Sequence, residues 1–343
     1  MLFGGCGILL LCNFASLRYR EKFMDVILTG SIAYDYLMRF PGRFVDYFIK
    51  EQMHQVSLSF LVDEMTKHWG GNAANIAYTL ALLGLRPHLM GTVGQDFADY
   101  RHWLNSVGVD TSTVRQIDDV FTASFFVNTD LDNNQIASFY TGAMEFARYY
   151  PIAEAYDGKP DLVVISPNDP QAMVNLAKEC RENNIRFLYD PSQQVPRLDG
   201  EALREGIRGA YMMVVNAYEA EIISQKTKLS LDDMRRQIDI LVITHGKEGS
   251  HIYLDDEIIE VEAFPPDEIK DPTGVGDAYR AGLIFGMSHN LPFKLAGELG
   301  AVCATYALEQ VGTQSHHFTV AQLIERFRTH FEDDGLLDAV LTT

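Results

Sequence analysis

The sequence contains Asp271-Pro-Thr-Gly-Val-Gly-Asp277-Ala-Tyr-Arg-Ala-Gly282, in which two glycines one residue apart precede an acidic residue and a helix-like run. A glycine turn at a helix N-terminus directs free backbone N–H groups toward one point, and the helix dipole favours negative charge there. Such a turn binds anions. Asp277 at its edge suits a partner that loses a proton, such as a hydroxyl that attacks a phosphoryl group. The alternative is an ordinary helix cap, because short glycine motifs are weak evidence by themselves.

Two further motifs occur in the same chain. His68-Trp-Gly70-Gly71-Asn72-Ala-Ala-Asn75 precedes a helix-like segment, and Val214-Val215-Asn216-Ala-Tyr-Glu219 is an apolar strand that ends in polar residues. With the glycine turn, these motifs resemble in order and spacing the signature set of the ribokinase-like (PfkB) family of sugar and nucleoside kinases. The resemblance covers Asp25 to Gly312. No GxxxxGK[ST] sequence occurs in the chain, so a P-loop is excluded.

Within that family the chain resembles the bacterial adenosine kinases of mycobacterial type. The segments that carry this similarity are Ser31-Ile-Ala-Tyr-Asp35 with the residues that follow it, Val56-Ser-Leu-Ser-Phe-Leu-Val-Asp63, Gln135-Ile-Ala-Ser-Phe-Tyr140 and Asp190-Pro-Ser-Gln-Gln194.

The charge balance limits the partners of the protein. The 343 residues include 47 acidic and 28 basic side chains, for a net charge of −19. This excess of negative charge argues against nucleic acid and anionic membranes as partners. A polyphosphate substrate must therefore be held by local features. The four cysteines have neither CxxC nor metal-ligand spacing, which suits a reducing cytoplasm and predicts no disulfide.

The first 23 residues differ from the rest of the chain. An apolar run of ten residues, Leu2–Leu11, is followed rather than preceded by basic residues, which is the wrong polarity for a signal peptide. Ten residues are also too few to span a bilayer. Met24 directly precedes the first convincing strand. We therefore expect residues 1–23 to be a non-native or disordered extension, with a membrane anchor as the alternative.

The remainder predicts an α/β protein. Short β-branched runs alternate with amphipathic helical segments, which favours a mostly parallel central sheet with helices on both faces. The predicted strands are 25–30, 88–92, 162–166, 186–189, 211–215 and 240–244, with a hairpin at 250–254 and 257–262. The predicted helices are 72–83, 97–107, 170–183, 200–207, 217–225, 292–309 and 320–331.

Two regions, residues 31–67 and residues 122–140, lack this alternation of strands with helices. Residues 56–62, 122–128 and 135–140 read as strands that can pair into a separate small sheet. The resemblance implies that this sheet is a lid above the substrate and an interface for a homodimer. We expect a kinase domain at 24–331, with its lid from about 34–67 and 120–141, and a C-terminal tail at 332–343.

The glycine turn carries the predicted chemistry. Asp277 is the predicted general base for the acceptor hydroxyl, and the backbone N–H groups of Gly274, Val275 and Gly276 are predicted to hold the transferring phosphoryl oxygens. Removing one such donor typically costs about 3 kcal/mol of barrier. A helix N-terminus favours the charged carboxylate, which predicts a weak base. Arg197 is expected to neutralise phosphate charge, with an ordinary surface arginine as the alternative.

A second group is predicted to bind the nucleotide. Asn216 and Glu219 can face the same side of a first helical turn, either as ligands or as a capping box. The resemblance implies that they organise the phosphates of ATP and the water shell of Mg²⁺, which needs few carboxylates. It also implies that Thr244, Gly246 and Gly249 lie on the adenine-nucleotide side; a plain turn is the alternative. A monovalent cation such as K⁺ is a further candidate.

The acceptor residues are likewise implied by the resemblance. The expected ribose contacts are Ser31, Asp35, Gly71 and Asn75, and the expected lid or base contacts are Ser59, Phe125 and Phe139, with Gln193, Gln194 and Arg197 following the strand that ends at Asp190. A carboxylate suits vicinal hydroxyls, and aromatic faces suit a purine. The alternatives are a satisfied helical amide for Asn75 and core or dimer packing for the two phenylalanines.

The leading hypothesis is an ATP-dependent, magnesium-requiring kinase that phosphorylates the 5′-hydroxyl of adenosine to AMP, in purine salvage. The nearest alternative is the same chemistry on ribose, fructose, inosine or cytidine. A non-catalytic nucleoside- or nucleotide-binding sensor is the alternative from another class. A Rossmann oxidoreductase is disfavoured, because no GxGxxG follows the first strand.

Overall fold

The computed structural model describes residues 24–48, 57–255 and 257–342. The strands within these residues are β1 (Val26–Thr29), β2 (Ala33–Arg39), β3 (Glu64–Gly70), β4 (His88–Val93), β5 (Val114–Gln116), β6 (Ala123–Thr129), β7 (Gln135–Tyr140), β8 (Leu162–Ile165), β9 (Phe187–Tyr189), β10 (Met212–Asn216), β11 (Ile240–Thr244), β12 (Ser250–Leu254) and β13 (Glu257–Val261). The helices are α1 (Asn72–Leu82), α2 (Ala98–Ser106), α3 (Ile152–Ala155), α4 (Pro170–Glu182), α5 (Gly200–Ile207), α6 (Ala217–Thr227), α7 (Leu231–Arg235), α8 (Val275–Ser288), α9 (Phe293–Leu308) and α10 (Val320–Phe327).

The main sheet has nine strands in the order β13-β12-β11-β10-β9-β8-β1-β4-β5. Every neighbouring pair is parallel except those that involve β12 and β13, which form an antiparallel hairpin at one edge. The predicted α/β class, the mostly parallel sheet and the edge hairpin are confirmed. The sequence interpretation missed the three-residue β5 and the short helices α3 and α7.

Each central strand contributes to two hydrophobic cores. In β8, Leu162 and Val164 pack on one side of the sheet and Val163 and Ile165 on the other, because successive side chains alternate between the faces. Helices α1, α8 and α9 cover the first side, and α4, α5 and α6 cover the second. This double cover explains why the parallel strands are continuous apolar runs.

A separate sheet of four strands has the order β3-β2-β6-β7. It contains the predicted pair at 122–128 and 135–140, but the strand predicted at 56–62 is wrong for residues 57–62, since β3 begins only at Glu64. The ring of Phe60 packs 4.9 Å from the centroids of both Phe40 and Phe44. Phe60 is therefore half-buried against these two rings, in a loop without strand pairing. The first residue of the predicted strand lies outside the described residues.

The two ends of the chain are predicted to lie outside the kinase domain. The expected N-terminal extension at residues 1–23 lies outside the described residues, and two of the four cysteines lie within it. Cys180 and Cys303 are buried free thiols. In the described part, no helix has both the length and the apolar content needed to cross a membrane. Residues 332–342 pack back on the main core through Leu337 and Val340.

Candidate active site

A cavity of about 630 Å³ lies between the small sheet and the carboxyl-terminal ends of the parallel strands β1, β8 and β9. Ligands bind beyond these ends of the strands in open α/β sheets. The sequence-predicted residues that line the cavity are Ser31, Asp35, Gly71, Asn75, Phe125, Phe139, Gln193, Gln194, Arg197, Gly274 and Asp277.

Asp277 is buried in the first turn of α8, and both of its carboxylate oxygens accept hydrogen bonds from amides of α1. Nδ2 of Asn72 donates to Oδ1 at 3.0 Å, and Nδ2 of Asn75 donates to Oδ2 at 2.9 Å. Each carboxylate oxygen has a second acceptor position, so Asp277 can also accept a hydroxyl from the cavity. A carboxylate fixed by two neutral donors is suited to take up a proton at a defined place. The sequence interpretation did not identify Asn72.

The basicity of Asp277 is set mainly by its burial. Desolvation raises the pKa of Asp277 to about 6, against the lowering effects of the Arg280 guanidinium and of the amides of Asn75 and Asn72. The expectation of a weak base is therefore wrong, because loss of hydration outweighs the favourable charge environment. A carboxyl group with a pKa near 6 is ionised at neutral pH and still basic enough to accept a proton.

The turn before α8 has the geometry of an anion-binding site. Gly274 is the N-cap residue with φ 79°, a left-handed conformation that favours glycine. Val275 and Gly276 follow as the first helical residues. The N–H groups of a first helical turn have no intrahelical acceptor, so they are available to a ligand. This turn can therefore hold phosphoryl oxygens next to Asp277.

Arg280 lies directly behind this turn. Its Nη2 atom donates to Oδ1 of Asp190 at 2.6 Å and to Oγ of Ser192 at 2.9 Å. A Cβ atom added to Gly276 would lie 2.8 Å from Nη1 of Arg280, so the guanidinium packs against the turn. The sequence interpretation missed this buried ion pair. The available signal was the spacing of Arg280 from Asp277, since residues three apart share a helix face.

The wall formed by β2 and the start of α1 carries polar groups suited to hydroxyls. Burial, and then the nearby carboxylates of Asp271 and Asp277, raise the pKa of Asp35 to about 6. Gly71 has φ 95°, and a Cβ atom there would lie 2.5 Å from the carbonyl oxygen of Ser31, so only glycine fits. Backbone and carboxylate acceptors thus border the cavity on the same side as the base.

The same face of the small sheet continues beside Asp35 as an aromatic wall, because Phe125 is the register partner of Asp35. Phe125 on β6 and Phe139 on β7 are partners in the antiparallel register, so both project from the same face of the small sheet. The guanidinium of Arg197 lies 6.0 Å from the ring centroid of Phe139, across the cavity. Nε2 of Gln194 donates to the carbonyl oxygen of Asn168 at 2.8 Å, while its buried Oε1 has no partner in the described residues.

The predicted nucleotide residues lie at the carboxyl-terminal ends of strands of the main sheet that neighbour those beside the cavity. Asn216 and Thr244 are register partners at the ends of β10 and β11. A Cβ atom on Gly246 would meet no atom within 4 Å, whereas one on Gly249 would lie 2.0 Å from the carbonyl oxygen of Val261. Packing of the hairpin therefore explains the glycine at position 249, and the open turn at Gly246 is the better candidate for ligand approach.

Asn216 and Glu219 form a capping box, as the alternative interpretation expected. Oδ1 of Asn216 accepts from the backbone N–H of Glu219, and Oε2 of Glu219 accepts from that of Asn216, each at 2.8 Å. Burial raises the pKa of Glu219, and the Arg280 charge opposes this. The described residues contain no cluster of three or more His, Cys, Asp or Glu suited to a metal ion. Glu219 has a second carboxylate oxygen, and one carboxylate with substrate phosphates and water fits Mg²⁺.

Ser59 is separated from the other predicted residues. It is exposed in the loop that precedes β3 and does not line the cavity.

Comparisons with known proteins agree with this architecture. The family model described as pfkB family carbohydrate kinase matches residues 31–319. A nucleoside kinase from Methanocaldococcus jannaschii is 30% identical over 90% of this chain and 98% of its own length. The structure of Burkholderia thailandensis nucleoside kinase in complex with inosine has 36% identity and a TM-score of 0.80, covering 89% of this chain and 98% of that one. Its complex with ADP-inosine has 37% identity and a TM-score of 0.77, covering 89% and 96%. The protein belongs to the pfkB family of carbohydrate kinases.

Proposed function

We propose that the protein is an ATP-dependent nucleoside kinase that phosphorylates the 5′-hydroxyl of adenosine to give AMP, with a role in purine salvage. The observation that carries the proposal is the buried carboxylate of Asp277, held by two amides beside a glycine turn. It faces a cavity whose other walls carry a carboxylate and two aromatic rings. These groups match what a nucleoside kinase needs: a proton acceptor, a phosphoryl-binding site, a ribose contact and a contact for the nucleobase.

In the proposed step, a carboxylate oxygen of Asp277 accepts the proton of the 5′-hydroxyl. The hydroxyl oxygen forms a bond to the γ-phosphorus of ATP, the bond from this phosphorus to the β–γ bridging oxygen breaks, and ADP leaves. The N–H groups of Gly274, Val275 and Gly276 stabilise the charge on the transferring phosphoryl oxygens. A positioned base contributes roughly 10²- to 10⁴-fold to such a step.

The nucleotide is proposed to lie along the ends of β10 and β11. Asn216, Thr244 and Gly246 would contact ATP, and Arg197 would reach the phosphates from the rim of the cavity. When bound, Mg²⁺ neutralises phosphate charge, and Glu219 would hold it through water. Arg280 does not touch the cavity in this scheme; its positive charge lies behind the phosphoryl site.

The nucleoside is proposed to place its ribose against Asp35, Ser31, Gly71 and Asn75 and its base against the aromatic wall. Apolar planar bases prefer aromatic faces, and the unpaired Oε1 of Gln194 is an acceptor for a donor group on the base. The complexes of Burkholderia thailandensis nucleoside kinase with inosine and ADP-inosine support a purine nucleoside and an adenine nucleotide as substrates.

The small sheet is proposed to act both as a lid and as the interface of a homodimer. All residues of β7 are exposed, although this edge strand carries apolar side chains such as Ile136 and Tyr140. Phe126 is also partly exposed on the face away from the cavity. A second copy would cover both the apolar face and the unpaired strand edge.

Steady-state phosphorylation with ATP and Mg²⁺ tests the proposal, with adenosine, inosine, cytidine, ribose and fructose as acceptors. We expect kcat/KM for adenosine to exceed that for every other acceptor by at least about tenfold, since a lost base contact costs roughly 1–3 kcal/mol. Preference for a free sugar would retain Asp277 as the base and reject the roles of the aromatic wall. Binding of ATP with no turnover of any acceptor would favour a non-catalytic sensor.

A further inference from the structure

Three side chains, of which Trp103 and Gln314 have no role in the proposed reaction, form a hydrogen-bonded chain that ends at Asp277. Nε1 of Trp103 donates to Oε1 of Gln314 at 3.0 Å. Nε2 of Gln314 donates to Oδ1 of Asn75 at 3.1 Å, and Nδ2 of Asn75 donates to Oδ2 of Asp277 at 2.9 Å. We refer to Trp103, Gln314 and Asn75 as the amide relay.

The direction of the amide relay is fixed by the chemistry of its far end. An indole N–H can only donate, so the Gln314 amide must present its oxygen to Trp103. The hydroxyl of Tyr100 donates to the carbonyl oxygen of Gly70 at 2.8 Å, so its oxygen accepts from Nε2 of Gln314, at 2.5 Å. Both contacts therefore set the same orientation of Gln314. Asn75 must then turn its oxygen to Gln314 and its NH₂ group to Asp277.

Burial of these side chains makes any other orientation of the amides energetically costly. Gln314 is only 6% exposed and Asn75 only 4%, and Tyr100 is fully buried. Water cannot replace a lost partner at such positions, so an amide in the wrong orientation leaves polar atoms unpaired. The relay also joins separate elements, because Trp103 lies on α2, Asn75 on α1 and Gln314 in the segment after α9.

We propose that Gln314, fixed by Trp103, is a positioning residue that keeps the Asn75 amide donating to Asp277 and so keeps this carboxylate ionised and ready to accept a proton. The inference rests on the proposed role of Asp277 as the general base. If the Asn75 amide flipped, so that its oxygen and nitrogen exchanged positions, its oxygen would face Oδ2 of Asp277. Two acceptors can share such a contact only when the carboxyl group is protonated, and a protonated Asp277 cannot take the proton of a hydroxyl.

Other charged groups also act on Asp277. Arg280 on α8 favours its ionised form, whereas Asp190 after β9 opposes it. The negative charge of Asp277 in turn contributes to the raised pKa of Asp35 on β2, after burial and Asp271. None of these groups is part of the amide relay, and substitution at Gln314 by an uncharged residue leaves their charges in place.

The test is Gln314→Met, which removes both hydrogen-bonding groups without adding a charge. We expect kcat to fall at least about tenfold and the acid limb of its pH profile to move up by about one unit, because one of the two amide donors to Asp277 is no longer fixed. Trp103→Phe removes the indole N–H together with part of the ring but leaves Gln314 in place, and it should move both quantities in the same direction by a smaller amount. It also keeps the test available if Gln314→Met does not fold.

Tyr78→Phe is the matched control. Its hydroxyl donates to the carbonyl oxygen of His316 at 2.6 Å, so this variant removes a buried hydrogen bond between α1 and the same segment after α9. The phenylalanine ring can still stack on Trp103, as the Tyr78 ring does with a centroid separation of 6.0 Å, and no hydrogen bond of the amide relay is removed, so we expect the wild-type pH profile.

A second measurement separates the relay from the proposed function. The ¹³C carboxyl resonance of Asp277, identified by its absence in Asp277→Asn, reports protonation of this group in the free protein. We expect its titration midpoint to rise in Gln314→Met. An unchanged midpoint and an unchanged kcat profile in the folded variants would overturn the relay. A wild-type protein without kinase activity would overturn the proposed function instead, while the resonance would still test the relay.

Discussion

Asp277 combines deep burial with a charge at neutral pH. Its pKa is raised by desolvation from an ordinary value of 3.8 to about 6, so the folded state binds a proton more tightly than the unfolded chain does. Its favourable contribution to the free energy of unfolding is therefore complete below pH 4 and is lost as the pH rises through about 6. Each pKa unit corresponds to about 1.4 kcal/mol, so the ionisation of Asp277 at neutral pH lowers the free energy of unfolding by on the order of 3 kcal/mol.

The Asp277→Asn variant should remove both the catalytic base and the loss of stability that ionisation of Asp277 causes. We expect turnover to fall at least about 100-fold, since the base is removed. The melting temperature of the variant relative to wild type should increase as the pH is raised from 4 to 7, because only the wild-type side chain becomes charged. Thermal melts across this range and steady-state rates at pH 7.5 measure both effects. Near-normal turnover would exclude Asp277 as the base, and a pH-independent difference in melting temperature would contradict its raised pKa.

Helices α8 and α9 approach each other closely, and this approach holds the helix that carries Asp277 and Arg280. A Cβ atom on Gly282 would lie 2.7 Å from the backbone nitrogen and Cα of Gly300. Backbone atoms of a packed helix cannot move aside without displacing the helix. The glycine is therefore needed for packing rather than for its conformational freedom.

Gly282→Ala should destabilise the fold despite the higher helix propensity of alanine. Overpacking typically costs about 1–3 kcal/mol, which exceeds the gain of roughly 1 kcal/mol in a helix interior. Gly297→Ala is the matched control on α9, because its Cβ atom would meet side-chain atoms of Val261 and Ile252 rather than the backbone of a neighbouring helix. Chemical denaturation should show a clearly larger loss for Gly282→Ala. Equal losses would mean that the distance between the helices does not limit stability.

The small sheet shows where local pattern misleads. Residues 56–62 alternate well enough for a strand, yet in 57–62 the aromatic ring of Phe60 is held in a loop by Phe40 and Phe44. The strand that does pair, β3, is largely polar and exposed. Its pairing with β2 is decided by backbone hydrogen bonds across the sheet, which no local apolar pattern reveals.

At the scale of the whole molecule, the proposed homodimer can be measured directly. We expect a mass of twice 38.6 kDa by light scattering after size exclusion. Ile136→Glu on β7 should shift this mass toward the monomer, because a charge would be buried in the interface. Ile258→Glu is the matched control, since it places the same charge on an exposed isoleucine of the edge strand β13 of the main sheet. A monomeric wild type, or equal effects of both variants, would contradict a dimer through the small sheet.

The sequence by itself determined the family, the α/β class, the mostly parallel sheet and most helix bounds. These depend on local chemistry: alternation of apolar residues, helix-length apolar periods and glycines at turns that no other residue can form. It also indicated the residues around the cavity, because motifs that follow parallel strands meet at one edge of the sheet.

Only the tertiary structure decided how these groups act on one another. Asn72 and Asn75 lie 205 and 202 residues from Asp277 along the chain, and Gln314 lies 239 residues from Asn75, yet all are in hydrogen-bond contact. The raised pKa of Asp277, the ion pair of Arg280 with Asp190 and the direction of the amide relay arise from burial and from these distant contacts. A linear pattern carries the identity of each residue but neither its desolvation nor the orientation of its partners.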